Sequence, residues 1–278
     1  MVVLQQIPMR QDNYSYAIIV NSDVIMVDPS ESLESIKYFD AHPEYVLKAI
    51  INTHGHDDHI GGNDILWQKF KCPVYGPYAE RERIPHISHE LLGGEHLSIL
   101  GLEFHVHDVH AHTKGHLAFE LVHMLDKVIK HGHKHAPFLS ERLAHKKVMF
   151  VGDSLFAAGC GRLFEGTAHD LTRALQFYAR QETNMLMACA HEYTASNLRF
   201  ARTIFPHVQD IEQRIENLDA MLRLEGSSVP CLFGEELSTN PFLLVVSSGR
   251  SHVAETIGVS GEDLSAVVLA LRKAKDNF

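Results

Sequence analysis

The chain has 278 residues, 45% hydrophobic and 22% charged, with a formal net charge of -10 at pH 7. That length supports one large or two moderate domains with sizeable cores. The acidic balance argues against a nucleic-acid surface, which needs clustered Lys and Arg, and favours a small-molecule substrate. In chain order, two β-branched runs, residues 16–20 and 24–27, flank the polar turn Asn21-Ser22-Asp23 and read as a hairpin. Ser32–Ala41 has helical spacing, and His42-Pro43 stops it. Residues 47–52 form a short buried strand whose carboxyl end runs into Thr-His-Gly-His-Asp-Asp-His at 53–59. A helix over Asn63–Phe70, a strand at 73–75 and a loop to about residue 94 follow.

Residues 96–100, 102–107 and 117–122 alternate as strands, and His110, His112 and His116 lie at the turn between the last two. From 123 to 147 the chain turns polar and loses periodicity, which reads as an inserted, His-rich surface loop. Residues 147–151 restore a strand ending at Asp153, and a three-glycine loop leads to a helix capped by Thr167 or Asp170. The strand at 185–189 delivers His191. Helices are expected at 196–205 and 209–224, then a loop rich in Ser, Pro and Gly, then a last helix over 261–276. The division is a strand-rich part, 1–192, and a smaller helical part, 193–278. The segment 1–10 has no secretory pattern and no apolar run approaches a membrane span, so a cytoplasmic protein without membrane contact is expected. Cys72, Cys160, Cys189 and Cys231 are far apart with no C-x-x-C pair, and read as core thiols.

The chemistry gathers at strand ends. Alternate residues of an extended segment face one way, so His54 and His56 can share an ion. Asp58 and His59 can turn towards a second ion about 3.5–4 Å away. One of His110 or His112, with Asp153 and His191, completes a set suited to two divalent cations: zinc first, iron or manganese as alternatives. Two cations sharing a water lower its pKa towards neutrality, and the natural reaction is hydrolysis of an activated acyl or phosphoryl bond. No G-x-S-x-G elbow supports a serine nucleophile.

Thr53 to His59, His112-Thr-Lys-Gly-His116, Gly152-Asp-Ser-Leu-Phe156 and Ala190-His-Glu-Tyr193 together resemble the metallo-β-lactamase superfamily. Gly159-Cys-Gly-Arg-Leu-Phe-Glu-Gly-Thr167, Cys189-Ala-His-Glu-Tyr-Thr194 and Arg272-Lys-Ala-Lys-Asp-Asn-Phe278 are similar to the glyoxalase II group, the hydroxyacylglutathione hydrolases. The resemblance implies an α+β fold, an αββα sandwich followed by a helical domain that contributes to a glutathione pocket. It implies His54, His56 and His112 on one metal, Asp58, His59 and His191 on the other, and Asp153 bridging. It leaves His110 and His116 to packing or hydrogen bonding. It also implies substrate contacts from Arg162, Phe164, Tyr193, Arg272 and Lys275. Phe164 stands where some members have Tyr; Ala111 and Ala190 replace glycines, and the 124–146 insertion is longer than usual. The activity implied is hydrolysis of S-D-lactoylglutathione to D-lactate and glutathione by a monomer, the second step of methylglyoxal removal, with Asp58 and Asp153 as catalytic residues and a metal-bound hydroxide as the nucleophile. The alternative is a one-iron glutathione persulfide dioxygenase of the same superfamily; a metal-buffering role for the His-rich insertion is a third reading.

Overall fold

The computed structural model describes residues 1–131 and 137–278. Two sheets are packed face to face. The first has eight strands in the order Pro137–Leu139, Lys127–His131, Val2–Met9, Asn13–Val20, Asp23–Val27, Val46–Ile51, Val74–Pro77 and His89–Leu91. The second has six: Cys231–Leu232, Leu186–Cys189, Val148–Gly152, Leu117–Leu121, Leu102–Asp108 and His96–Ile99.

Alternation along the strands explains the layering. Leu4, Tyr16, Ile18, Ile25 and Ile51 enter the core between the sheets, where they join Phe104, Val106, Phe119 and Phe150. Their neighbours Val3, Ala17, Ile19, Val24 and Ile50 point to the opposite face and pack with Tyr38, Phe39 and Leu66 from helices Ser32–Ala41 and Asn63–Phe70. Helix Ala168–Tyr178 lies on the outer face of the second sheet, where Phe177 meets the His107 ring at 4.7 Å. Thr167 and Asp170 cap that helix reciprocally. The result is the expected α+β, αββα sandwich, followed by helices Thr194–Ile204, Gln209–Glu225, Phe233–Thr239, Pro241–Ser247, Arg250–Ile257 and Leu264–Asp276.

Three expectations need correction. The insertion is not a surface loop where it is described, because Lys127–His131 adds to the first sheet, parallel to Val2–Met9. Lys130 is buried there and its ammonium pairs with Glu225 at 2.7 Å, so a polar residue sits in a paired strand. His133 and His135 of the expected His-rich loop lie outside the described residues. Strand Val2–Met9 was hidden by Gln5-Gln6, yet Gln6 is buried with its amide donating to Val229 O at 2.9 Å. The Ser/Pro/Gly loop ends early: Cys231–Leu232 joins the second sheet and three helices lie between it and the last one. Asn240 caps one of them with Pro241 at its first position, a start signal readable in the sequence.

Candidate active site

Four strand ends converge on one point. Strand Val46–Ile51 leads into 52–56, and the short helix Asp57–Ile60 turns Asp58 and His59 inward. The turn after Leu102–Asp108 presents His112, Val148–Gly152 presents Asp153, and Leu186–Cys189 presents His191. Gly152 has φ 49°, and a Cβ there would collide with Thr53 Oγ1 and the His116 ring. Glycine therefore permits the close approach of Asp153 to the 53–59 loop.

The side chains fall into two groups. In one, His54 Nε2 and His112 Nε2 lie 3.0 Å and 3.1 Å from His56 Nδ1. In the other, His191 Nε2 is 3.3 Å from Asp58 Oδ2 and 3.4 Å from Asp153 Oδ1, while His59 Nε2 is 3.2 Å from that same Asp153 oxygen. The second Asp153 oxygen faces the first group, 3.6 Å from His112 Nε2. A tetrahedral ion with bonds of about 2.0–2.1 Å sets neighbouring ligand atoms roughly 3.3–3.4 Å apart, so these spacings fit one ion per group. A second observation agrees. His59 Nε2 and Asp153 Oδ1 are fully buried and make no hydrogen bond among the described residues despite their proximity. Buried polar atoms left so are costly, and a cation between them would satisfy both.

Electrostatics separate the groups. Burial alone would lower His59 and His191, but Asp153 and the neighbouring carboxylates override it. His59 rises well above the ordinary imidazole range and His191 to about 10. His54, His112 and His116 are lowered by burial, His54 and His116 well below the usual value, so that all three are neutral at pH 7. Burial opposes ionisation of Asp58 and Asp153, yet the imidazoles facing them hold both below the ordinary carboxylate range.

Groups behind the histidines fix their orientation. Thr53 Oγ1 donates to Asp28 Oδ2 at 2.7 Å and so accepts from His54 Nδ1 at 3.1 Å. The same Asp28 oxygen takes His59 Nδ1 at 3.0 Å, so one buried carboxylate orients a histidine in each group. His112 Nδ1 donates to Arg162 O at 2.8 Å, and His191 Nδ1 meets Asp12 Oδ1 at 3.0 Å. Buried Glu80 ties two loops together, accepting from Gly55 N at 2.7 Å, Gly115 N at 3.0 Å and the Thr113 hydroxyl. Sequence reasoning missed Asp12, Asp28 and Glu80. Asp28 ends a strand just as Asp153 does, which was the available signal. His110 pairs with Asp108 and Asp170 on the surface. His116 stacks on His54 and accepts the Asp153 backbone N–H at 3.1 Å. Neither lies in the two groups, in keeping with their implied packing and hydrogen-bonding roles.

Beside His112 and Asp153 opens a cleft of about 500 Å³ that Arg162, Phe164, Tyr193, Arg272 and Lys275 also line. Phe164 is exposed, its ring 5.1 Å from that of His112. Tyr193 stacks on His191 at 4.8 Å, and burial raises its phenol above the ordinary value. Arg272 is buried: Nη1 donates to Cys160 O at 2.7 Å, Nη2 pairs with Asp276 at 3.1 Å, and Nε has no partner among the described residues. Lys275 donates to Ser196 Oγ at 3.1 Å, and burial, with Arg272 and Arg199 nearby, lowers it to about 8.

Residues 10–207 match the family model of the metallo-β-lactamase superfamily, to which the chain belongs, with its dinuclear divalent-metal centre. Residues 192–278 match the model of the hydroxyacylglutathione hydrolase C-terminus. The hydroxyacylglutathione hydrolases of Pseudomonas savastanoi pv. phaseolicola and Pseudomonas entomophila are 37% and 35% identical to it, covering 100% of each chain. That of Methylococcus capsulatus is 34% identical over 100% of this chain and 99% of its own. Within the superfamily, the chain is therefore a member of the hydroxyacylglutathione hydrolase (glyoxalase II) family of thioester hydrolases. Among solved structures, a metallo-β-lactamase of Staphylococcus aureus superposes with TM-score 0.61 at 13% identity, over 98% of this chain and 72% of that one. ETHE1 of Myxococcus xanthus superposes with TM-score 0.59 at 18% identity, over 98% and 99%. These two likenesses bear on the fold alone.

Proposed function

We propose that the chain hydrolyses S-D-lactoylglutathione, and related 2-hydroxyacylglutathione thioesters, to the hydroxy acid and glutathione. The observation that carries this is a two-group ligand set sharing Asp153 and opening onto a cleft that holds Arg162, Arg272 and Lys275. In this reading His54, His56 and His112 hold one ion, Asp58, His59 and His191 the other, and each Asp153 oxygen serves one group. Zinc is the preferred metal; iron and manganese suit the same donors. When bound, the cations supply a water activated at neutral pH and polarise the thioester carbonyl.

The chain's own groups do the rest. Asp58 and Asp153, held ionised by the surrounding imidazoles, accept the hydrogen bonds of the attacking water. Arg162, Arg272 and Lys275 pair with the two glutathione carboxylates. Tyr193, kept protonated, donates to the substrate, and Phe164 gives it an apolar wall. The 193–278 helices act as the glutathione-binding domain on the 1–192 catalytic domain. We place the protein as a cytoplasmic monomer in the second step of methylglyoxal removal; no helix among the described residues is long and apolar enough to cross a membrane. The test is turnover of S-D-lactoylglutathione by fully metallated protein, read as loss of thioester absorbance with equimolar thiol release. Metallated protein inert on this substrate refutes the assignment, and oxygen uptake with a glutathione persulfide would replace it by the dioxygenase.

A further inference from the structure

The outer face of the second sheet carries metal-ligating side chains that the reaction does not use. His105 and His107 are two apart on strand Leu102–Asp108 and project from the same face. Glu120 on Leu117–Leu121 is the direct cross-strand partner of His105. Its Oε2 lies 3.1 Å from His107 Nε2 and 3.6 Å from His105 Nδ1, and the ligand atoms all fall within 4.8 Å of one another. On the other side His96, paired with His105 across the sheet, packs its ring against that of His105 at 4.2 Å.

We propose that His105, His107 and Glu120 form a third cation site, for a borderline divalent ion such as zinc, distinct from the dinuclear centre. The donor set is two imidazoles and one carboxylate, a combination zinc accepts with water completing its coordination. Phe177 packs on the His107 ring and holds it in place, while His105 is partly exposed with its Nδ1 already 3.6 Å from the Glu120 carboxylate. Lys147 is the competing cation, but it stands 3.8 Å from the other Glu120 oxygen and is shared with Glu182 at 3.6 Å. Oε2, the oxygen that faces both histidines, is therefore left to the ion. Glu120 and Glu182 against the single Lys147 place two carboxylates and one ammonium beside the histidines. A bound ion would cross-link two neighbouring strands of the sheet.

The experiment is a calorimetric zinc titration of protein whose dinuclear centre has already been filled, with metal content measured after desalting. The parent is expected to take up one further zinc per chain. The double variant His105→Ala, His107→Ala is expected to lose that ion and keep its thioester turnover, since neither residue touches the cleft. If the double variant fails to fold, the single variants His107→Gln and Glu120→Gln, each with turnover retained, carry the same decision. No further ion in the parent, or a further ion that persists in the folded variants, overturns the proposal.

Discussion

Asp28→Asn tests whether one buried carboxylate holds a histidine of each ligand group. Both Asp28 oxygens accept from donors: Oδ1 from Thr53 N at 2.8 Å, and Oδ2 from the Thr53 hydroxyl and His59 Nδ1. An amide cannot replace this. With its NH₂ in the Oδ1 position it opposes a backbone N–H that has no alternative form. Turned the other way, it opposes His59 Nδ1–H and drives that ring towards the tautomer with a proton on Nε2, the atom that faces Asp153. Loss of such a supporting group lowers metal affinity by about 10–100-fold, which at about 1.36 kcal/mol per factor of ten is roughly 1.4–2.7 kcal/mol. That range overlaps the roughly 1.5–3 kcal/mol of a hydrogen bond to a charged group, so the two routes to the number agree. Competition with a chromophoric chelator reads the affinity of each ion, and thioester turnover at limiting and excess zinc reads the consequence. Turnover is expected to fall at limiting zinc and recover in excess. A variant that binds both ions within twofold of the parent refutes the assignment to Asp28.

Lys275, lowered to about 8, is charged below that pH and neutral above it. KM for an anionic glutathione thioester is therefore expected to rise as pH climbs through about 8 with kcat level, and Lys275→Arg should flatten the rise; identical KM profiles would exclude the contact. Glu80→Ala leaves the Gly55 and Gly115 amides and the Thr113 hydroxyl without their buried acceptor. Urea unfolding should show a loss of about 2–4 kcal/mol, and a loss within about 0.5 kcal/mol would mean that water replaces the carboxylate. In the Lys130–Glu225 pair the lysine is buried and the acid only partly exposed. Glu225→Gln should cost about 3 kcal/mol and Lys130→Met under about 1 kcal/mol, because only the first strands a buried charge; equal costs would contradict the burial argument.

The local part of the site was legible because its ligands are neighbours in sequence: 53–59 carries four of them, and a two-residue period already puts His54 and His56 on one side. Asp153 and His191 were legible as types, an acid and a histidine at strand ends, but which strand ends meet is a property of sheet order. Two parallel neighbours, Val148–Gly152 and Leu186–Cys189, bring them together although 38 residues separate them in the chain. The choice of His112 over His110 came from the resemblance, and its physical counterpart is the Arg162 carbonyl that orients His112, a contact spanning 50 residues. Strand Lys127–His131 was illegible because its pattern is polar. It is made possible by an acid nearly a hundred positions away, since Glu225 takes the charge of Lys130.

The helices after residue 193 reach the ligands through one small hairpin, Leu155–Phe156 with Gly159–Cys160, which starts two residues past Asp153. Its backbone is almost wholly claimed by later elements. Asn197 donates to Ala157 O at 3.0 Å, Asn240 to Phe156 O at 3.1 Å and Gly159 O at 2.9 Å, and Arg272 to Cys160 O at 2.7 Å. Glu236, fully buried and paired with Arg214 at 2.6 Å, accepts the Ala158 N–H at 2.8 Å. Ala158 has φ 53°, an unfavourable value for a residue with a side chain, so these bonds hold a conformation the hairpin alone would not keep. Two residues on, the Arg162 carbonyl orients His112. Cutting the chain at 192 would remove one wall of the cleft and also release the backbone that aims a histidine at the first ion. The contacts that fix this hairpin therefore also set the aim of His112, and Arg272, whose Nη1 holds the Cys160 carbonyl, lines the cleft as well.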